Sequence, residues 1–244
     1  MTLCILREDR DGLCTLTLNR PDKLNALDTA TFEELDAHCA ALESEVASVG
    51  CVVLRGSGRA FCAGADIGGI GQGFTDSRFK PGVVARLAAL PQPVIAAVHG
   101  VCFTGGLELA LAADLIVAER SARFADTHGK WGLVGAWGMT QRLPRRIGTA
   151  QAKRLMFTAQ VIEATEAAAL GLVDVLVEDG EMNARVAELS AQVLANSWHT
   201  NVETKKLLAA TDGMTLARGL AHEFENYPGF APDHAERLAR FSRK

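Results

Sequence analysis

No stretch of the sequence approaches the roughly 20 consecutive apolar residues that a membrane-crossing helix needs, so a membrane-spanning reading falls away. There is no basic excess either. Against 29 Asp and Glu stand 25 Lys and Arg, a formal net charge of −4, which removes the electrostatic support for nucleic acid or an anionic membrane as main partner. The opening, MTLCILREDRDG, lacks the long apolar core of a secretory signal, and the expected compartment is the cytoplasm. No two of the six cysteines form a CxxC pair. Cys4, Cys14, Cys39, Cys51, Cys62 and Cys102 are scattered, mostly in apolar strand-like runs, and read as small buried hydrophobes in a reducing compartment, not a disulfide framework or zinc site. Cys62 and Cys102 lie in Gly-containing segments, so a catalytic thiol there stays as the minority alternative. Internal repeats, low-complexity tracts and long linkers are also missing.

What is present is apolar bulk, 48% hydrophobic residues over 244, enough for the core of one large domain or one domain with a small appendage. Cys4 to Glu8 and Leu13 to Leu18 alternate around Asp11-Gly12, the pattern of a β-hairpin. Thr29 to Glu45 places Phe32, Leu35, Cys39 and Leu42 at helical spacing. Strand Cys51 to Leu54, helix Val83 to Leu90, strand Val94 to Val98, helix Gly105 to Ala113 and strand Leu115 to Ala118 follow, an alternation that predicts an α/β fold with parallel pairing. Residues 68 to 82 carry five glycines and predict a mobile loop beside the site. From Thr149 onward the pattern is helical except for the strand-like Val173 to Val177, with three more helix candidates from Asn201.

Two Gly-containing segments, Phe61 to Asp66 and His99 to Glu108, each follow a strand and precede a helix. Such turns can aim backbone N–H groups at an anion, though each alone is equally a tight turn with close packing. Neither fits a GxGxxG or GxxxxGK[ST] phosphate-binding pattern.

In chain order, Asn19-Arg20-Pro21-Asp22-Lys23-Leu24-Asn25-Ala26-Leu27, Ala60-Phe61-Cys62-Ala63-Gly64-Ala65-Asp66-Ile67, Pro93 to Gly100, Gly105-Gly106-Leu107-Glu108-Leu109-Ala110, Gln141-Arg142-Leu143-Pro144 and Ala167 to Val173 resemble the motifs of the crotonase (enoyl-CoA hydratase/isomerase) superfamily. The resemblance covers nearly the whole chain. It implies an α/β fold with a crotonase-like ββα superhelical core over residues 1–200, which holds an acyl-CoA site, and a helical trimerisation section over 201–244. It also implies a homotrimer or dimer of trimers, with no cofactor beyond the coenzyme A of the substrate. Carried over by position, the resemblance makes the amides of Ala65 and Gly105 the oxyanion hole and Lys23, Leu24, Ala63, Asp66 and Ile67 the coenzyme A contacts.

The first of the family's two acidic positions matches Glu108. A lone acid in a helix is usually solvated, but this one lies in LELALAA, where an unpaired carboxylate is costly and burial would raise its pKa toward the useful range for proton transfer. The second glutamate is missing. His128 stands at its position, either as a base or water-orienting group or as a structural histidine in a site that uses Glu108 alone. Asp126 is a weaker candidate for a displaced carboxylate, and Trp131 and Trp137 read as pocket lining or core. The leading expectation is syn hydration of a 2-enoyl-CoA. The alternatives are double-bond isomerisation by Glu108 alone, thioester hydrolysis, and a silent acyl-CoA-binding protein.

Overall fold

The computed structural model describes residues 3–66, 68 and 78–242. β1 (Ile5–Arg10) and β2 (Leu13–Leu18) pair antiparallel through a two-residue turn, with Asp11 at φ 50° and Gly12 at φ 84°. Two successive left-handed residues match the right-handed twist of the flanking strands. α1 (Thr29–Ser44) starts where Asp28 accepts the Thr31 N–H at 2.8 Å, and it buries Phe32, Leu35, Cys39 and Leu42. β3 (Cys51–Gly56), α2 (Phe79–Ala89) and β4 (Val94–Val98) come next. α2 starts four residues before the predicted Val83, so 79–82 of the expected loop are helical, while 69–77 lie outside the described residues. Pro81 is no obstacle, since the first turn of a helix has no use for its missing N–H.

β5 (Val101–Phe103), α3 (Gly105–Ala110), β6 (Leu115–Glu119), β7 (Arg123–Ala125), α4 (Met139–Ile147), α5 (Thr149–Thr158), β8 (Ile162–Glu163), α6 (Ala164–Ala169), β9 (Val175–Val177) and α7 (Met182–Ala195) complete the core. α8 (Trp198–Thr211), α9 (Leu216–Glu225) and α10 (His234–Phe241) form the tail. The boundary drawn between residues 200 and 201 falls inside α8, which begins where the Ser197 side chain caps it. α3 is shorter than predicted because Ala112 and Ala113 N–H bond to Leu109 and Ala110, three residues back, and close the turn.

One six-stranded sheet has the order β1-β2-β3-β4-β6-β9, parallel except for the hairpin. Alternate residues serve opposite faces, the expected period of a strand. Val52, Leu54, Val94, Ala96 and Val98 join the large core under α1 and α2, whereas Cys51, Val53, Ile95 and Ala97 pack with Met182 and Val186 of α7. Both faces are covered, which is why these strands read as continuous apolar runs. A second sheet, β5-β7-β8, is absent from the sequence reading. Strands of three, three and two residues are too short for periodicity to mark. This small sheet positions the site, because β5 leads into α3 and β7 leads into the turn carrying Asp126 and His128. Among the described residues no helix is long and apolar enough to cross a membrane.

Candidate active site

The two Gly segments meet edge to edge. Cys62 pairs with Cys102 and Leu27 with Ala65 in isolated parallel bridges, and Phe103 N–H bonds to Cys62 O at 3.0 Å. Gly64 takes φ 109°, and a Cβ there would lie 3.1 Å from Phe103 O and 3.5 Å from Gly105 N. Gly105 is glycine for a different reason: a Cβ would meet the Trp137 ring at 2.4 Å and lie 3.4 Å from Ala65 N. The residue before it, Thr104, is held at φ 51° and ψ −109°, an uncommon backbone conformation for a residue with a Cβ. It is kept there by Thr104 N–H to Ala125 O at 2.8 Å and by a 2.5 Å hydroxyl bond to Thr127. The result is two neighbouring amides, Ala65 and Gly105, whose N–H groups have no acceptor among the described residues. The Gly105 amide is also the first of a helix, where N–H groups are unused and the local field favours negative charge.

Glu108, four residues after Thr104, is 1% exposed. Its Oε1 accepts the backbone N–H of Trp137 at 2.8 Å and of Met139 at 3.1 Å, so it closes the N-terminus of α4. Its Oε2 is buried without a hydrogen-bond partner among the described residues. Burial pushes the Glu108 pKa up, and the two amides and the neighbouring His128 only partly offset it. His128 Nε2 is 3.8 Å from that free oxygen, an ion-pair distance too long for a direct hydrogen bond. On the other side of the ring, His128 Nδ1 is 2.6 Å from Asp126 Oδ1, and Asp126 is 4% exposed. Burial of the ring disfavours its cation, yet the Asp126 hydrogen bond and the charges of Asp126 and Glu108 outweigh it and leave the His128 pKa above its usual value. Arg142, half-buried, donates to Trp137 O at 2.9 Å and fixes the strand of chain that holds Glu108. Trp137 sets its ring edge-on to Phe32, centroids 4.9 Å apart.

The expected coenzyme A residues also come together. Lys23 ends an exposed turn (Pro21–Lys23), Leu24 follows at φ 50°, and Leu24 O accepts Ala63 N–H at 2.9 Å. Asp66 is engaged three times, by Arg20 at 2.9 Å, by the Gly68 N–H at 3.2 Å and through its own N–H to Leu27 O at 2.9 Å. The Arg20 hydrogen bond holds the Asp66 carboxyl below its ordinary range, so this side chain pins the loop. Ile67 lies outside the described residues. Sequence reasoning missed Arg20, which also reaches Asp28 at 3.1 Å and Ala26 O, and it missed the Trp137 and Met139 amides, which no side-chain pattern could mark. Cys62 and Cys102 are fully buried, and burial pushes the Cys62 thiol up to about 12, so neither has the character of a nucleophile.

A two-sheet α/β core that brings two neighbouring unpaired amides and a buried acid together defines an enzyme-like site able to hold negative charge on an oxygen while a carboxyl group moves a proton. The family model for Enoyl-CoA hydratase/isomerase matches residues 8–240, and the chain belongs to that family. It is 37% identical to a short-chain-enoyl-CoA hydratase of Clostridium acetobutylicum, over 79% of this chain and 76% of that one. It is 33% identical to the 1,2-epoxyphenylacetyl-CoA isomerase of Escherichia coli, over 98% and 95%. The solved enoyl-CoA hydratase of Bacillus anthracis superposes with a TM-score of 0.93 at 32% identity, covering 98% of this chain and 96% of that one. The chain therefore has the crotonase-like α/β fold and is an enzyme of the hydratase and isomerase group.

Proposed function

We propose that the protein is a cytoplasmic enoyl-CoA hydratase that adds water in syn fashion across the double bond of a 2-enoyl-CoA. The observation that carries this reading is the free, buried Oε2 of Glu108 opposite His128 Nε2 at 3.8 Å. A cap for α4 needs only Oε1, and leaving the second oxygen buried without a partner is costly unless something else fills its bonding capacity. A water lying beside the line between the two atoms, at about 2.8 Å from each, would meet both.

In this reading the thioester oxygen accepts from the Ala65 and Gly105 amides. Negative charge grows on that oxygen as the enolate forms, and each such donor supplies roughly 3 to 4 kcal/mol of transition-state stabilisation. Neutral Glu108, its pKa raised by burial, gives its proton to the α carbon. His128 Nε2 takes a proton from the water whose oxygen bonds to the β carbon. The imidazolium then returns that proton to Glu108, so the hydrogen and hydroxyl added to the substrate balance one water. Lys23, Leu24, Ala63 and Asp66 line the path of the coenzyme A moiety, with Arg20 bracing Asp66. The substrate brings the coenzyme A, and no separate cofactor enters these steps. The enzyme works as a homotrimer or a dimer of trimers.

Isomerisation is the second reading. It is favoured by the absence of a second carboxylate at position 128, since one acid can remove and return a proton. Incubation of the purified protein with a panel of enoyl-CoA and saturated acyl-CoA thioesters, followed by mass spectrometry, separates the readings. Gain of one water by a 2-enoyl-CoA is the expected result. Unchanged mass with a moved double bond would replace hydration by isomerisation, and release of free coenzyme A or binding without change would overturn both.

A further inference from the structure

We propose that Asp126 is a positioning residue for His128: it holds the imidazole as the Nδ1–H tautomer and turns Nε2 toward Glu108 Oε2. This rests on the reading of His128 as the group that takes the proton from water, and the experiment below separates failure of one from failure of the other.

One oxygen of Asp126 serves the same residue twice. Oδ1 accepts the His128 backbone N–H at 3.1 Å and faces ring Nδ1 at 2.6 Å. The first contact sets the turn at the end of β7, and the second sets the ring orientation. An ionised carboxylate only accepts hydrogen bonds, so a ring nitrogen this close must carry the hydrogen. The neutral ring then has its lone pair on Nε2. That pair points to the side where Glu108 leaves an oxygen unused.

Among the described residues no other charged or hydrogen-bonding group is paired with Nδ1. From α3, Glu108 faces the ring at Nε2. From the chain before α4 comes Gly135, which has no charge and where a Cβ would lie 3.1 Å from Cε1 and 3.3 Å from Nδ1 of His128. Arg142 on α4 is turned to Trp137 O. Thr127, between the two residues, is tied to Thr104, so the turn is locked to the start of α3, the helix that bears Glu108. Asp126, 4% exposed, thus lies on the far side of the ring from Glu108 Oε2 and acts through His128. At 2.6 Å from Nδ1, its carboxylate offsets the charge of the imidazolium formed when Nε2 takes up a proton.

The test uses the full-length protein labelled with ¹⁵N and ¹³C at histidine. In the wild type the neutral His128 ring should show protonated Nδ1 and bare Nε2; the opposite tautomer would overturn the proposal without any variant. In Asp126→Asn the side-chain oxygen can still hold the backbone turn, but the charge is gone. The titration of His128 should move to lower pH by on the order of one unit or more. The acid limb of kcat/KM should follow it, and kcat should fall on the order of 100-fold or more with KM changed only a few-fold. Asp126→Glu should restore part of the pH profile, which a merely structural loss would not allow. An unchanged titration in a folded Asp126→Asn protein overturns the proposal. A shifted titration with an unmoved acid limb upholds the orientation by Asp126 and overturns His128 as the proton acceptor.

Discussion

Oε1 of Glu108 is occupied by the Trp137 and Met139 amides, and only Oε2 is left for chemistry. Glu108→Gln keeps an oxygen for the two amides and removes the transferable proton. It should fold, as circular dichroism can check, and should lose kcat/KM on the order of 10²- to 10⁴-fold for hydration and isomerisation alike. His128→Ala should cut hydration by a similar factor if the histidine handles water, and leave isomerisation nearly unchanged. His128→Glu should retain or raise hydration by restoring two carboxylates. Wild-type turnover in folded Glu108→Gln would remove the acid from the mechanism.

The raised pKa of Glu108 also has a stability consequence. With the folded pKa above the unfolded one, the folded state holds the proton longer, and unfolding releases it. Stability is therefore full below the ordinary value of 4.5 and is lost as pH rises from there through the raised folded value. Raised His128 acts in the same direction, over a window that begins at its ordinary 6.5 and ends at its own raised value. Thermal melts of wild type and Glu108→Gln across pH should show the variant gaining relative stability as pH climbs from below 4.5, and a pH-independent difference would contradict the assignment.

At the scale of elements, the start of α1 and the anchoring of α8 are the most exposed to single changes. Asp28 caps α1 through the Thr31 N–H at 2.8 Å and hydroxyl at 2.7 Å, and it pairs with Arg20. Asp28→Ala should cost about 1 kcal/mol or slightly more, a fall in Tm of roughly 2 to 4 °C for a chain of this size. The Trp198 ring, at the first residue of α8, lies over Gly12 and Gly50, where a Cβ at Gly50 would meet Cε2 at 2.3 Å. Gly50→Ala must therefore move the ring or the strand, and about 1 to 3 kcal/mol of destabilisation is expected in chemical denaturation. A neutral outcome would mean that α8 is not docked through Trp198. α8 is also joined to the core by Lys205, which reaches Asp114 at 2.6 Å and Gln92 O at 3.0 Å, so the tail is a continuation of the core through α8.

Beyond α8 the balance changes. Leu216, Phe224, Phe230 and Phe241 are all more than three-quarters exposed in the single chain. So many large apolar side chains on one short section call for a partner surface, which is the physical support for the proposed trimer or dimer of trimers. Light scattering at micromolar concentration should return three or six times the chain mass of 26.0 kDa. A monomer would exclude that assembly. Periodicity marked the hairpin, α1, the strands β3, β4 and β6 and the tail helices, because each depends on a repeat of two or 3.6 that local residues carry. Spacing and resemblance singled out Ala65, Gly105, Glu108 and His128. What only the tertiary structure decided is their relation to each other. The small β5-β7-β8 sheet is too short to read in a sequence, and it brings residues 104 and 127 within one hydroxyl bond. Backbone amides at Trp137 and Met139 leave no trace in residue type, yet they decide which oxygen of Glu108 is free. The composition of a segment encodes its own conformation and burial. The contact of His128 with Asp126 is local, but that the other side of the ring meets Glu108 depends on α3 and the turn after β7 packing together, and packing alone sets it.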